Sequence, residues 1–561
     1  MRMIKELSRN LVSKIAAGEV VDRPSSVVKE LVENAIDADA TSIKIEIENA
    51  GLRVIKVTDD GIGMSREDLL HCFLPHTTSK IKHEDDLFSI VTKGFRGEAL
   101  SSIAAVSDLV IKSRPRDEIS GFIVEVVNQQ LARDSIVGMP IGASVVVKNL
   151  FKTIPARKKF LKSIRTEFRF IAEVVVKAAL AHPEISFFLA HDKRIILDLP
   201  SQQSVSERVR MLLGGDVAQN LLPVEYESEH YKISGYIAKP QVNHSTKDKQ
   251  FLFVNQRVVG NKLISDAVKE AFGSTLMTRR YPVFILFFDV PHNMVDVNIH
   301  PRKDQVAFAD GVNAYDLFKE AVLGVIDSES LGYEKDVSVE DFEYDFYDFD
   351  TKFVEEGSSY TDGFENTPIM QLHRLYLIKP TRKGVLLVDQ HAAHEKILYE
   401  KFLENYRKNK TSISCPLESS IIVKVSLVES EALLEYLPAF EKMGFELEDF
   451  GNGSFKLGAV PLLAFSGNIS DVESFSGLIS DILSDLMQGK TPKSIDENIK
   501  RVLSMTSCRL AIKSGDYLDE NERADLLRQL ENTKTGYTCP HGRPAKIEIT
   551  LEELGRMFKR K

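Results

Sequence analysis

Cysteine is scarce in this chain: Cys72, Cys415, Cys508 and Cys539 are spread over 561 residues. Four thiols so widely scattered exclude a disulfide framework and fit a reducing compartment. Long apolar runs are missing as well. None approaches the roughly 18 residues that a membrane span needs. The charged, mixed stretch from Met1 to Asn10 is followed by no apolar signal-peptide core. A cytoplasmic protein with no membrane partner is expected. An excess of positive charge is the third absence. A net charge of −10 rules out binding nucleic acid through a global positive field. Any such contact must come from local basic patches, with an affinity that falls steeply as salt rises.

What is present is ordinary for globular protein, with 43% hydrophobic and 27% charged residues. At about 150 residues per domain, the length predicts three or four domains. Residues 1–200 alternate helical and strand patterns. Ile43-Lys44-Ile45-Glu46-Ile47 has the period of a half-buried strand, and Val145-Val146-Val147 reads as another. Residues 201–330 continue as α/β: 249–254 and 283–288 are strand-like, and Leu263, Ile264, Ala267, Val268, Ala271 and Phe272 repeat at helical spacing. Residues 331–366 lose all period. Six acidic residues alternate with five aromatics between Glu340 and Asp350, with no base, so self-repulsion favours a flexible acidic linker. Order resumes in 367–561, where about 412–505 reads as a mainly helical inserted subdomain.

Two groups of residues carry chemistry. In the first, Pro24 opens a helix whose apolar stripe is Val27, Val28, Leu31, Val32, Ala35 and Ile36. Glu30, Glu33, Asn34 and Asp37 fall on the other face, which taken alone is most often a solvated surface. Asp59-Asp60-Gly61-Ile62-Gly63 then ends a strand in a turn whose glycines allow close backbone approach. Gly94-Phe95-Arg96-Gly97-Glu98-Ala99-Leu100 opens a helix, presenting N–H groups suited to phosphates. In the second group, Gly384 to Val388 forms a buried strand ending in Asp389-Gln390-His391-Ala392-Ala393-His394-Glu395. His391 and Glu395 share a helical face. Cys508, Cys539 and His541 are further potential ligands, so a divalent cation is expected if these distant pieces meet. Thiolate and imidazole suit Zn²⁺, while carboxylate and imidazole also suit Mn²⁺.

Glu33-Asn34, Asp59-x-Gly61-x-Gly63 and Gly94-to-Leu100 together resemble the GHKL ATPases. Ala16-Ala17-Gly18-Glu19-Val20-Val21 and Pro155-Ala156-Arg157-Lys158-Lys159-Phe160-Leu161 are similar to the MutL family of DNA mismatch-repair proteins. The resemblance implies an α/β (α+β) multidomain chain. Its parts are a GHKL (Bergerat) ATPase domain over 1–200, a β-α-β transducer domain over 201–330, the linker, and an α/β C-terminal dimerisation and endonuclease domain over 367–561. It implies that Glu33 is the general base, that Asn34 holds Mg²⁺ and that Asp59 accepts from the adenine amino group. Thr77, Ser79, Lys80 and Gly94 to Leu100 would cover the ATP phosphates, and Lys303 would reach the γ-phosphate. Gly142 is followed by Ala143 and Ser144, where the family usually has Gly-Thr.

The segment from Asp389 resembles the endonuclease motif of MutL proteins that nick DNA themselves. Ser507-Cys508-Arg509, Cys539-to-Pro544 and Phe558-Lys559-Arg560 resemble its companions. Asp389, His391, Glu395, Cys508, Cys539 and His541 are therefore the expected Zn²⁺ or Mn²⁺ ligands, with His394 and Glu400 weaker candidates. A purely stabilising zinc site is the alternative. Arg157 and Lys262 are expected to contact DNA phosphates without reading sequence. A homodimer, MutS and the sliding clamp are the implied partners. No copy of the clamp-binding segment stands near Cys415-Pro416-Leu417. The implied place is the cytoplasm, at the nucleoid.

Overall fold

The structure, a computed structural model, describes residues 21–75, 77–78, 97–228, 230–244, 246–276, 280–291, 294–296, 307–308, 313–330, 368–409, 414–451, 453–461, 472–488, 495–512, 516–533, 538–540 and 543–560. The chain divides into two compact units, whose main parts are Met1–Gly332 and Tyr333–Val423 with Phe455–Lys561.

In the first unit, helix α1 (Pro24–Asp37) begins at a proline, whose missing N–H costs nothing in a first turn. Its buried residues include Val27, Val28, Leu31, Val32 and Ala35, the stripe predicted from spacing. That stripe lies against an eight-stranded sheet. The strands are β1 (Ser42–Glu48), β2 (Val54–Asp59), β3 (Asp108–Arg114), β4 (Gly121–Val127), β5 (Gln130–Val137), β6 (Gly142–Lys148), β7 (Ser186–His191) and β8 (Arg194–Leu199). Their order is β5-β4-β3-β6-β2-β1-β7-β8. The pairs are antiparallel except β1 with β7, where Ser42 faces Ser186. Ile43, Ile45 and Ile47 are at most 1% exposed, as the alternation predicts. Helices α2 (Ala99–Val106) and α3 (Ile164–Ala181) complete this layer. Ser163 caps α3 by accepting from the Thr166 N–H.

The unit also holds a five-stranded sheet of β9 (Leu221–Glu227), β10 (Lys232–Ala238), β11 (Gln250–Val254), β12 (Arg257–Val258) and β13 (Phe284–Asp289), in the order β12-β11-β13-β10-β9. Helix α4 (Lys262–Phe272) packs beside α5 (Ala314–Ser330) in its core. Both β11 and β13 fall close to the stretches read as strand-like, and α4 coincides with the predicted helix.

The second unit is built on a sheet of β14 (Met370–Leu372), β15 (Tyr376–Thr381), β16 (Gly384–Asp389) and, at its far edge, Lys546–Thr550. Helix α6 (Gln390–Asn409) leaves β16 directly and packs on α7 (Ile495–Leu510) and α8 (Glu520–Glu531). The stretch 412–505 is less helical than expected. It contains a three-stranded sheet of Ser414–Lys424, Ser454–Pro461 and Glu446–Gly451. Ser454-Phe455-Lys456-Leu457 alternates burial with period two, the strand signal that flanking helices concealed. The linker 331–366 lies outside the described residues.

Arg208 binds the end of α3 to its surroundings. It is 1% exposed, and its guanidinium donates to the carbonyls of Ala179, His182, Ile185 and Pro200 at 2.7–3.3 Å. A cation there satisfies last-turn carbonyls and meets the negative end of the helix dipole. Arg208→Met should lower stability by about 3 kcal/mol, because several buried acceptors lose their donor together. Chemical denaturation checks this, and an unchanged midpoint would refute the role.

Candidate functional sites

The first site forms where β2 ends. Asp59 Oδ1 accepts from the Gly61 N–H at 3.1 Å and from the Ala143 N–H at 3.2 Å. Burial outweighs these two bonds and pushes its carboxyl up to about 6. The turn that follows needs glycine: at Gly63, with φ +74°, a Cβ would stand 2.4 Å from the Arg114 carbonyl oxygen. On the neighbouring helix α1, Lys29 Nζ stands 3.9 Å from a Glu33 carboxylate oxygen. Asn34 and Asp37 continue the same polar face. The hydroxyls of Ser144 and Thr58 lie 2.9 Å apart across paired strands. Ser144 thus places a hydroxyl beside the strand end although Ala143 occupies the preceding position.

Of the residues expected to cover the phosphates, Thr77 donates its hydroxyl to the carbonyls of His71 and Leu74. The Thr77 carbonyl would sit 2.6 Å from a Cβ at Gly97, whose φ is +62°. The two halves of the expected lid therefore touch through main chain, and only glycine permits it. Glu98, Ala99 and Leu100 lead into α2. Ser79, Lys80, Gly94, Phe95, Arg96 and Lys303 lie outside the described residues.

One residue here was not legible in the sequence. Arg257, on β12, lies within electrostatic reach of Glu33 and Asp37: burial lowers its pKa, and these two carboxylates oppose the shift. Only the pairing of β12 with β11 after a tight turn, Val254 opposite Arg257, carries it there. No local motif signals that fold-dependent approach.

The second site begins at the end of β16. Asp389 Oδ1 accepts from the Ala392 N–H at 3.0 Å, capping α6 at its third residue. One turn on, His391, Glu395 and Cys508 place ligand atoms within 4.8 Å of one another. His391 Nδ1 stands 2.8 Å from the Ile512 carbonyl oxygen, so it carries the proton and donates. Nε2 is left as the ring's basic nitrogen, 3.9 Å from Cys508 Sγ. Glu395 is 2% exposed. Imidazole nitrogen, carboxylate oxygen and thiol sulfur suit Zn²⁺, and the first two suit Mn²⁺, so the donor set fits the expected metal.

Three of the six expected ligands therefore converge. Asp389 is not in that group; its Oδ1 caps the helix. Cys539 is not in it either: it is 4% exposed in the hydrophobic core around Ala392 and Ala393. His541 lies outside the described residues. Glu400 pairs with Lys396 at 3.1 Å, away from a ligand role. His394 accepts from the Ile512 N–H at 2.9 Å, and burial, Lys401 and His391 push its pKa down to about 4.

Among the residues expected on DNA, Lys262 is exposed at the start of α4. Arg157 is half-buried and donates to the Val21 carbonyl at 3.0 Å. No helix of the described residues is long and apolar enough to cross a membrane.

Comparison with known families accords with this geometry. Residues 22–144 match the histidine kinase-, DNA gyrase B- and HSP90-like ATPase model, and 209–326 match the DNA mismatch repair protein, C-terminal domain. Residues 369–518 match the MutL C terminal dimerisation domain. Fold and site thus define a multidomain α/β protein with a GHKL-type ATPase domain and a C-terminal homodimerisation domain. The DNA mismatch repair protein MutL of Methanoculleus marisnigri is 34% identical over 597 residues, covering 100% of both chains. That of Coxiella burnetii strain CbuG_Q212 is 33% identical over 583 residues, again covering 100% of both. A crystal structure of the N terminal domain of a DNA repair protein aligns at 25% identity and TM-score 0.50, covering 57% of this chain and 99% of that one. The chain belongs to the MutL family of DNA mismatch repair proteins.

The raised pKa of Asp59 makes a stability prediction. The folded state holds this proton more tightly than the unfolded chain, so ionisation opposes folding increasingly as pH rises from about 4 to about 6, and fully above that. Asp59→Asn should raise stability at pH 7.5 by on the order of 2–3 kcal/mol. The advantage should shrink as pH falls through about 6 towards 4. Denaturation curves at pH 7.5 and 4.5 check both sign and window.

Proposed function

We propose that this chain is an ATP-gated clamp that couples mismatch recognition to strand removal and nicks DNA at a metal centre. Glu33 activates water against the γ-phosphate, Asn34 holds Mg²⁺ and Asp59 accepts from the adenine amino group. Thr77, Ser79, Lys80, Gly94 to Leu100 and Lys303 enclose the phosphates. The 1–200 domain thereby powers closure, the 201–330 domain transmits it, and the linker over 331–366 lets the C-terminal dimer, 367–561, stay joined. MutS would hand on the mismatch signal, and the sliding clamp is a further family partner. Arg157 and Lys262 would meet DNA phosphates, consistent with a net-acidic protein that relies on local bases. The reading places the chain in the cytoplasm, at the nucleoid.

The nuclease part rests on one observation: His391, Glu395 and Cys508 converge from helices α6 and α7, more than a hundred residues apart in sequence. With Asp389, Cys539 and His541 they are the residues that would hold Zn²⁺ or Mn²⁺. A bound ion supplies Lewis-acid polarisation of the phosphodiester and lowers the pKa of water. The chain's own residues hold the donors in place: His391 is oriented by a main-chain carbonyl and Glu395 is fixed by burial on α6. Asp389, at the strand end, keeps a second carboxylate oxygen for the reacting centre. The alternative is an ATPase matchmaker with a structural or regulatory zinc site. The capping bond of Asp389 is what favours it.

Two measurements decide. Wild type should nick supercoiled plasmid with Mn²⁺, and Asp389→Asn should abolish nicking while still capping α6, since asparagine caps as well as aspartate. Equal nicking by both proteins would sink the nuclease reading. Glu33→Ala should bind ATP but lose turnover by about 100-fold or more, as removal of a general base does. Unchanged hydrolysis would take Glu33 out of that role.

A further inference from the structure

We propose that His394 is a positioning residue of the metal centre: it ends helix α7 and thereby sets the Cys508 thiol against His391 and Glu395. The proposal rests on the metal-centre reading above and assigns His394 no place among the ligands.

Cys508 lies in the last turn of α7, which stops at Leu510. In a continued helix the Ile512 N–H would donate to the Cys508 carbonyl, four residues back. Ala511 still makes such a bond, to Ser507 at 3.0 Å. At Ile512 the ladder is broken: its N–H goes to His394 Nδ1 at 2.9 Å, and its carbonyl accepts from His391 Nδ1–H at 2.8 Å. Two histidines one turn apart on α6 therefore grip both main-chain groups of a single residue. They must do so in opposite tautomers, His391 protonated at Nδ1 and His394 at Nε2. The first leaves Nε2 of His391 basic on the side of Cys508. The second leaves Nδ1 of His394 as the acceptor for the Ile512 N–H.

A second grip keeps the chain beyond Ile512 in place. Gln390, with no exposed surface, donates to the carbonyls of Arg374 and Asp516 at 2.8 and 3.2 Å. Gln371 donates to Gln390 Oε1 at 2.7 Å and to the Asp516 carbonyl at 2.8 Å, and accepts from the Leu518 N–H at 3.2 Å. The strand-to-helix segment that contributes His391 and Glu395 thus also holds the segment following Cys508. Separation of thiol from imidazole is set by main-chain bonds rather than by side-chain packing alone. Groups outside a ligand shell that orient its members typically contribute 10–100-fold in metal affinity.

The test uses the full chain and Co²⁺, whose thiolate charge-transfer absorption reports a cysteine bound to the ion, assigned to Cys508 by its loss in Cys508→Ser. His394→Ala should keep wild-type ATP hydrolysis and folding but bind Co²⁺ about 10–100-fold more weakly. In metal-free protein, hydrogen exchange of peptides covering 507–512 should also accelerate. His394→Asn, whose Oδ1 stands where Nδ1 stood, should return both readouts towards wild type. Unchanged affinity and exchange in His394→Ala, or no recovery in His394→Asn, would overturn the proposal while wild-type Co²⁺ binding leaves the metal centre standing. A wild type that binds no Co²⁺ would remove the metal centre and the positioning role together.

Discussion

Oδ1 of Asp59 is the point on which the strand-end face of the first unit is built. It takes main-chain N–H groups from two places, Gly61 in its own turn and Ala143 at the start of β6. Strand β2 lies between β1 and β6, so Asp59 faces Ile43 on one side and Ala143 on the other. A charged oxygen buried at that depth is tolerated because it is hydrogen-bonded twice, and it remains costly enough to raise its pKa. The sheet therefore stops where the carboxylate needs it to stop. Glycine at 63 lets the chain turn there, and the polar face of α1 runs alongside.

The second unit uses the same device with a different result. Asp389 also stands at a strand's carboxyl end and also binds a main-chain N–H, but that N–H opens a helix. A cap at this point fixes the phase of α6. Phase decides which side chains face α7: His391 and Glu395 on one line, Ala392 and Ala393 in the core. One carboxylate thus locates His391 and Glu395 opposite Cys508. Both sites in this MutL-family chain start from an aspartate at the carboxyl end of an inner strand, held by main-chain N–H groups.

Much of the fold was legible because burial has a period. Ile43, Ile45 and Ile47 alternate and form a strand; Leu31 and Ala35 share a stripe and form a helix face. The stretch from 412 to 505 has a mainly helical pattern because its long helices dominate, whereas Phe455 and Leu457 show a strand only once their burial is known. The candidate site divides in the same way. His391 and Glu395 could be paired from their spacing alone. His394 and Glu400 lie on the same helix, yet one binds a main-chain N–H and the other a lysine. Residue type and spacing do not distinguish a ligand from its support, since imidazole and carboxylate serve equally well as either.

By itself the sequence determined the elements, the strand-end aspartates, the glycine turns and the family, because these depend on local stereochemistry and on short motifs. Only the tertiary structure decided which distant groups meet. Cys508 joins His391 and Glu395, Arg257 comes within reach of Glu33, and Arg208 closes the end of α3. Each of these depends on where helices and hairpins come to rest after packing. A contact across a hundred residues is set by the sum of many burials, and no single stretch of chain records that sum.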